Sequence, residues 1–318
     1  MRLIAHFLVL VIGTIMASTV AAENYPEKPI KIVVGYAPGG GADTFSRLLA
    51  KHLSEAVGQP VIVENRPGAD ARLATASVAQ ADPDGYTLLF SSTSHTINPA
   101  INKELPYDTV GDFAPVALVA EQQMVMVANP SKPFKTLPEL LDYLRANPDK
   151  VNWGSSSTGT GLPAELFKLK TGTNFAHAFY KGTGPVIADT LAGHVDLTVA
   201  GSATALPHIK AGSLRALAVW GPTRMEQLPD VPTVGEFVPE TQAILWSAVF
   251  APAGTPRPII DTLNGEIRKI VDMPEFAEAM SNHGATAVGS TPEELGQFVE
   301  REIKRWSDVV KDSGYKNE

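Results

Sequence analysis

Short apolar segments alternate with amphipathic ones along most of the chain. The apolar segments predict strands over residues 30–34, 61–63, 87–90, 151–153, 196–199 and 214–219. Helix-period patterns lie between them, the first over residues 42–57. Strands that alternate with helices are typical of α/β folds with parallel sheets, so we expect this fold class.

Two of the predicted helices begin at recognisable signals. Thr136 with Glu139, and Thr291 with Glu294, have the spacing of a capping box. One apolar face follows each box at helical spacing, formed by Leu137, Leu140, Leu141 and Leu144 in the first helix and by Leu295, Phe298, Val299, Ile303, Trp306 and Val310 in the second.

Two longer segments, residues 115–127 and 243–251, are apolar almost without interruption. A chain that crosses twice between two lobes needs such a pair of segments. The pattern predicts a first lobe of residues 23–122 plus 248–318 and a second lobe of residues 123–247, each built on a mostly parallel sheet.

The N-terminus predicts export. Arg2 precedes an apolar run over residues 7–17, and small residues follow to Ala22. This order is typical of a secretory signal peptide, here residues 1–22. The alternative, a membrane anchor, needs about 20 apolar residues, and this run has eleven. We therefore expect a periplasmic protein, cleaved near Ala22.

Composition excludes several kinds of function. The chain has no cysteine, which excludes disulfides, thiol catalysis and a lipidated cysteine. Without residues 1–22, 25 basic and 34 acidic side chains remain, a net charge of −9 that disfavours nucleic-acid binding. The histidines lack the spacing of a zinc site, so we expect no metal and no cofactor.

Residues 36–43 are the first candidate for a ligand site. They read Tyr-Ala-Pro-Gly-Gly-Gly-Ala-Asp between a strand and a helix. Glycines leave backbone N–H groups uncovered, and a helix N-terminus attracts anions. The segment indicates either a carboxylate or phosphate site or, alternatively, a plain tight turn with Asp43 as the helix cap.

Residues 154–161 are the second candidate. They read Gly-Ser-Ser-Ser-Thr-Gly-Thr-Gly, again between a strand and a helix. Their hydroxyl groups could hold a carboxylate without burying a charge of their own. The alternative is a flexible polar loop. Because the two candidate loops belong to opposite predicted lobes, we expect them to face one cleft.

Other segments resemble known motifs only in part. Residues 159–164 fit a dinucleotide fingerprint, but no acidic residue follows at the required spacing, and no nucleophile elbow of a hydrolase is present. His95 follows a strand end, where α/β folds place their ligands, and is a candidate contact. Arg66 and Arg72 could clamp a carboxylate, although Arg66 lies beside Glu64 and could equally form a surface ion pair.

A series of ordered segments matches one known family: residues 25–30 (YPEKPI), 37–40 (APGG), 64–69 (ENRPGA), 82–89 (DPDGYTLL), 97–99 (INP), 105–108 (LPYD), 112–116 (DFAPV), 180–182 (YKG), 206–212 (LPHIKAG), 228–234 (LPDVPTV) and 251–256 (APAGTP). Over essentially the whole mature chain, the sequence resembles the substrate-binding receptors of tripartite tricarboxylate transporters, often called the Bug family.

The resemblance implies a two-lobed type II periplasmic binding protein, or Venus flytrap, which is not an enzyme. Such a receptor captures a small organic carboxylate and delivers it to membrane permease subunits. An alternative role is to present its closed form to a membrane sensor protein. We expect a monomer. The implied ligand-binding residues are Tyr36, Ala37, Pro38, Gly39, Gly40, Gly41, Ser92, Thr93, His95, Ser155, Ser156, Thr158, Gly159, Gly161, Tyr180, Gly201 and Ser202.

The chain departs from the family pattern at three places. Gly41 stands where Ser or Thr is usual, residues 70–72 (Asp-Ala-Arg) replace a second glycine pair, and residues 200–201 (Ala-Gly) replace an acidic or amide residue. The last change removes the expected partner of a ligand amine. We therefore expect an amino acid to be disfavoured and a bulkier, flatter dicarboxylate or aromatic carboxylate to be favoured.

Overall fold

The computed structural model describes residues 25–180 and 182–315. The predicted signal peptide and its cleavage point therefore lie outside the described residues. The strands are β1 (Ile30–Val34), β2 (Val61–Asn65), β3 (Thr87–Ser92), β4 (Phe113–Ala128), β5 (Asn152–Ser155), β6 (Ala176–Phe179), β7 (Leu197–Gly201), β8 (Arg215–Val219), β9 (Ile244–Pro252) and β10 (Ala285–Ala287).

The helices connect these strands in the predicted alternation. They are α1 (Gly41–Val57), α2 (Arg72–Ala79), α3 (Ser94–Ile101), α4 (Leu137–Ala146), α5 (Thr158–Thr171), α6 (Thr183–Ala192), α7 (Ser202–Lys210), α8 (Arg257–Val271), α9 (Pro274–Asn282) and α10 (Pro292–Ser313). A short 3-10 helix spans Val234–Glu236. Within the described ranges, no helix is long and apolar enough to cross a membrane.

Two sheets share strand β4. In the first sheet, β1 pairs in parallel with β2 and β3, while β9 pairs antiparallel with β3 and β4. In the second sheet, β5 pairs in parallel with β6 and β7, while β4 pairs antiparallel with β7 and β8. Each sheet is therefore mixed and not mostly parallel, because β4 and β9 run against their neighbours.

Strand β4 is the physical link between the two lobes. Its first part, up to Gln123, pairs with β9 in the first sheet, and its last part, from Met124, pairs with β7 in the second. The two long apolar segments of the sequence are β4 and β9. We call the lobe around the first sheet lobe 1 and the lobe around the second sheet lobe 2; the residue limits of each lobe stay a prediction.

The capping boxes explain where two helices begin. At α10, Thr291 Oγ1 accepts the Glu294 N–H at 3.1 Å, and the Glu294 carboxylate accepts the Thr291 N–H at 2.8 Å. At α4 only half of the box forms. Thr136 Oγ1 accepts the Glu139 N–H, but the Glu139 carboxylate accepts the N–H of Lys135 and not that of Thr136.

Helix α10 packs on the cores of both lobes. Leu295 and Val299 belong to an apolar cluster with Trp246 and Phe250 of β9. One end of the helix thus lies on lobe 1. Further along, Trp306 and Val309 belong to the cluster that surrounds Trp153 and Phe167 of lobe 2. The predicted apolar face of the last helix is therefore divided between the two lobes, although the sequence pattern assigned it to lobe 1.

Candidate functional site

Three polar side chains meet where the lobes approach each other. Ser94 Oγ lies 3.1 Å from Asp70 Oδ1 and 3.3 Å from Thr158 Oγ1. The Thr158 hydroxyl donates to the second oxygen of Asp70. Ser94 is the first residue of α3 in lobe 1, and Thr158 is the first residue of α5 in lobe 2. We call Asp70, Ser94 and Thr158 the cleft triad.

An unusual turn holds Asp70 in the triad. Ala69, Asp70 and Ala71 have φ values of 49°, 51° and 68°, a left-handed conformation that costs most residues free energy. The amide of Asn98 donates to the Asp70 carbonyl at 3.0 Å, and Arg72 Nε donates to the Ala69 carbonyl at 2.9 Å. These bonds fix the turn and aim the carboxylate at both lobes.

The glycine loop before α1 is held by one carboxylate. Asp43 accepts the Gly39 N–H at 2.9 Å and also bonds Arg47 and Asn65, each at 2.9 Å. Burial raises the pKa of Asp43, but the hydrogen bonds from Arg47, Gly39 and Asn65 outweigh it, so the pKa lies below its usual value. Asp43 thus supports the loop, whereas the N-cap itself is Gly40, which has no side chain.

That arrangement leaves an open backbone at the start of α1. The first N–H groups of a helix have no partner inside it. Residues 37–41 are exposed, and a Cβ added at Gly40 would meet only the Ala37 carbonyl, at 3.8 Å. Backbone donors and the positive end of the helix dipole therefore face free space, which suits an anion.

Tyr36 and Ser92 form a second polar contact in lobe 1. Their hydroxyl oxygens are 2.6 Å apart. Burial raises the pKa of the Tyr36 phenol, and the charge of Asp70 adds to that effect. The pair therefore lies within electrostatic reach of the cleft triad. By contrast, Thr93 Oγ1 accepts the Trp246 N–H of β9 at 3.2 Å, which ties this side chain to the sheet.

The hydroxyl-rich loop before α5 forms a hydrogen-bonded turn. Thr160 Oγ1 accepts the N–H groups of Ser156 and Ser157 at 3.0 and 3.2 Å. A Cβ added at Gly159 would lie 3.3 Å from Leu245 and 3.5 Å from Thr93, so the loop approaches lobe 1 closely. Thr160 organises the loop, while Thr158 points its hydroxyl across the cleft.

Ser155, His177 and Glu165 form a buried series of hydrogen bonds that the sequence did not reveal. His177 Nε2 lies 2.8 Å from Ser155 Oγ, and His177 Nδ1 lies 2.6 Å from a Glu165 oxygen. Burial raises the pKa of Glu165, but His177 and Lys168 together hold it below its usual value. The order resembles a nucleophile, base and acid, yet Ser155 is 0% exposed, so no substrate can reach its hydroxyl in this structure.

Three of the predicted contacts are engaged in packing or hydrogen bonds within a single lobe. The ring of His95 packs 4.6 Å from that of Phe250 and 5.2 Å from that of Phe113, within the core of lobe 1. A Cβ at Gly161 would lie 2.5 Å from Phe179, so this glycine permits close packing. The Tyr180 hydroxyl donates to Asp189 at 2.7 Å on α6.

The other end of the cleft lies near the crossing strand. Ser202 Oγ donates to the Gly284 carbonyl at 2.6 Å, which joins α7 of lobe 2 to lobe 1. The amide oxygen of Gln122, on β4, lies between two helix starts: a Cβ added at Gly41 would be 3.8 Å from it, and one at Gly201 only 2.6 Å. Gln122 thus fills the volume that the small residue at 201 leaves free. The small residue therefore gives no reason to expect a bulkier ligand, contrary to the expectation from the sequence.

The arginines near the cleft are engaged elsewhere. Arg66 pairs with Glu64, and both side chains are partly exposed to solvent. Arg72 donates to the Ala69 carbonyl and, at 2.9 Å, to Asn102 Oδ1. No group of three or more His, Cys, Asp or Glu side chains that could hold a metal occurs in the part of the chain that the structure describes.

Four helix starts therefore meet in pairs across one cleft. Helices α3 and α5 meet at Ser94 and Thr158, and helices α1 and α7 approach each other on either side of Gln122. Sequence reasoning missed Asp70, Gln122 and the His177–Glu165 pair as members of this region. The one available signal was the replacement of glycine at position 70.

Comparisons with known proteins agree with this architecture. A family model described as the tripartite tricarboxylate transporter family receptor matches residues 45–315. The chain is 37% identical over 320 residues to Protein BugT of Bordetella pertussis (strain Tohama I), an alignment that covers 99% of this chain and 98% of that protein.

Solved structures of similar proteins share the fold. R. palustris Rpa4515 with adipate superposes with a TM-score of 0.85 at 32% identity, covering 91% of this chain and 98% of that one. MatC (Rpa3494) from Rhodopseudomonas palustris with bound malate superposes with a TM-score of 0.81 at 32% identity, covering 90% and 100% of the two chains.

Proposed function

Because the chain belongs to the tripartite tricarboxylate transporter receptor family, we propose that it captures a small organic carboxylate between its lobes and delivers it to the permease subunits of a membrane transporter. Proteins of this family are periplasmic solute-binding receptors and not enzymes. The expected family, the two-lobed fold and the receptor class are therefore confirmed. The ligand and its delivery are the proposed parts.

The observation that carries the proposal is the pairing of helix starts across the cleft. Ser94 of lobe 1 and Thr158 of lobe 2 lie 3.3 Å apart and hold the Asp70 carboxylate between them. At the end of the cleft near Gln122, the exposed backbone at Gly40 and Gly41 leaves N–H donors free. An anion bound here would contact both lobes at once and would therefore favour the closed form.

The proposed contacts follow from this geometry. We expect the carboxylate to bind the backbone of residues 37–41 and the hydroxyls of Ser92 and Ser156, with Gln122 and Gly201 at the crossing-strand end. The two similar structures hold adipate and malate, which are both small carboxylates. Dicarboxylates and aromatic acids are the classes that the sequence favours.

A thermal-shift panel tests binding. Purified mature protein is heated with mono-, di- and aromatic carboxylates and with matched neutral amides. An acid at 100 times its Kd adds about 2.7 kcal/mol to the free energy of unfolding, and the amides leave it unchanged. If no acid raises the melting temperature, or the amides act equally, carboxylate capture is wrong.

Delivery needs a separate test. Uptake of the identified acid is measured in cells that lack the receptor gene, with the gene restored, and with the permease genes deleted. We expect uptake to require both receptor and permease. Uptake that survives loss of the permease genes, while binding persists in vitro, would instead favour a sensor role.

A further inference from the structure

We propose that Asp70 selects ligands that carry a protonated nitrogen as well as a carboxylate, and that it rejects a second carboxylate at its end of the cleft. This inference rests on the proposed function, since it concerns the same cleft. It names a chemical class, the zwitterionic amino carboxylates, and one residue that distinguishes this class from dicarboxylates.

The position of Asp70 is the first reason. Its two carboxylate oxygens accept hydrogen bonds from Ser94 of lobe 1 and Thr158 of lobe 2. These are the hydroxyls that a ligand carboxylate would otherwise take up. At this end of the cleft the carboxylate position is therefore already occupied by the protein's own side chain.

The second reason is that the charge of Asp70 has no cationic partner. Among residues 25–180 and 182–315, no Lys, Arg or His forms an ion pair with Asp70. Arg72, two residues away, donates to a backbone carbonyl and to Asn102. The half-buried Asp70 carboxylate between the two lobes thus accepts hydrogen bonds from hydroxyl groups only. A cationic group on the ligand would balance its charge.

The backbone supplies the third reason. Three successive residues, Ala69 to Ala71, adopt positive φ values without being glycine. Strain of this kind persists where the surrounding structure determines it, and it occurs often at ligand sites. Two glycines would adopt the turn with less strain but would place no carboxylate in the cleft. The turn therefore maintains Asp70 at a free-energy cost.

Electrostatics then determines which ligand fits. Near a protein surface, a second carboxylate of the ligand placed about 4 Å from the Asp70 carboxylate is repelled by it. The repulsion is equivalent to an increase of roughly a thousandfold in Kd. An ammonium group of the ligand at the same place is attracted by Asp70, which lowers Kd by a similar factor. The free-energy cost of removing water from the ammonium group offsets part of this gain. The sequence led us to expect that an amino acid is disfavoured, because no acid follows β7. Asp70 supplies that acid from the opposite lobe.

Matched ligand pairs test the proposal. The pairs are succinate and β-alanine, glutarate and 4-aminobutyrate, adipate and 5-aminopentanoate, and phthalate and 2-(aminomethyl)benzoate. Within each pair one carboxylate is replaced by an ammonium group on a similar frame. Kd values are measured by calorimetry at pH 7 for the wild type, for Asp70→Asn and for the control Asp142→Asn, which removes the same charge from an exposed site on α4.

For the pair that contains the tightest ligand, we expect the wild type to prefer the ammonium member at least tenfold. Asp70→Asn should reverse that preference by weakening the ammonium member and strengthening the dicarboxylate, each by tenfold or more. Asn tolerates a left-handed φ, so the variant should keep its fold. Asp142→Asn should bind as the wild type does.

The outcomes separate the two proposals. If the wild type binds dicarboxylates at least as tightly as their ammonium partners, or Asp70→Asn leaves the preference unchanged, the selectivity proposal is overturned and carboxylate capture stands. If no member of any pair, and no acid in the wider panel, binds the wild type, the proposed function itself is overturned.

Discussion

The hydroxyl of Ser202 donates a 2.6 Å hydrogen bond to the carbonyl oxygen of Gly284, across the boundary between the two lobes. Gly284 lies between α9 and β10 with a φ of +64°, and the neighbouring His283 carbonyl accepts the Gln122 amide at 3.1 Å. The cleft is thus bounded at one end by this pair of contacts and at the other by the cleft triad.

Gly284→Ala should destabilise the protein by disturbing that contact. The new Cβ would lie 2.6 Å from Ser202 Oγ and 3.0 Å from the Ala203 nitrogen, so the lobes must shift apart. The matched control is Gly172→Ala, with φ +62° and no atom within 4 Å of the new Cβ. The control should lose about 1–2 kcal/mol from backbone strain alone, and Gly284→Ala should lose at least 1 kcal/mol more, a typical overpacking cost. Chemical denaturation measures the free energy of unfolding of both variants. Equal losses would mean that the contact between the lobes does not contribute to the stability of the protein.

Gly40→Val should weaken ligand binding without unfolding the protein. The added side chain meets little protein, because the nearest atom to a Cβ is the Ala37 carbonyl at 3.8 Å, and it would stand over the open backbone of α1. We expect more than a tenfold rise in the Kd of the acid found in the panel. Gly265→Val, on α8 with no neighbouring atom within 4 Å, is the control for a valine at a glycine site. Calorimetry that gives both variants the wild-type Kd would exclude the glycine loop from the site.

Thr158→Ala should weaken ligand binding by roughly 1.5–3 kcal/mol, the range for one hydrogen bond to a charged group, because it removes one of the two hydroxyls that hold the Asp70 carboxylate between the lobes. Thr158→Ser keeps the hydroxyl and should restore most of the affinity. Arg66→Ala should change the Kd little, since Arg66 pairs with Glu64 at the surface. Loss of binding in Arg66→Ala, with Thr158→Ala unaffected, would show that a guanidinium clamps the ligand.

His95 should make the protein sensitive to acid. Burial lowers its pKa to about 4 from an ordinary value of 6.5, and the nearby Thr109 backbone opposes this only in part. As the pH falls below 6.5, the unfolded chain takes up the proton first, so stability present at neutral pH is lost progressively towards pH 4. Between pH 7 and pH 5 this loss is on the order of 2 kcal/mol.

Two variants isolate that effect. His95→Leu has no proton to bind, so its free energy of unfolding should fall less on acidification than that of the wild type. His194→Leu removes an exposed histidine and should follow the wild-type profile. Urea denaturation at pH 7, 6 and 5 gives the three profiles. Parallel curves for the wild type and His95→Leu would show that His95 does not titrate as its burial requires.

The strands and helices were predictable because their signals are local. Apolar runs and helical spacing located β1, β3 and α1 to within one or two residues, and the box at Thr291 marked the start of α10. The crossing strands β4 and β9 were also predictable, since strands in the middle of a sheet are covered on both faces and are therefore apolar over most of their length.

The site was less predictable because its contacts join distant parts of the chain. Asp70 and Thr158 are 88 residues apart, and no local pattern relates them. His95 illustrates a second reason. Its position after a strand end suggested a ligand contact, but a helix begins at Ser94, and successive helical residues point about 100° apart. Ser94 therefore faces the cleft, while His95 points into the core.

Helix α10 limits how the two lobes can move. Leu295 and Trp306 are each 1% exposed, but in different cores, and they are separated by about 16 Å along one rigid helix. If the helix tilted by roughly 10° relative to one lobe, one of these two side chains would move by about 3 Å out of its core. If one lobe instead rotated by the same angle about the long axis of α10, its atoms about 5 Å from that axis would move by only about 1 Å. We therefore expect the lobes to open and close by a roll of one lobe around α10, a motion about a single axis.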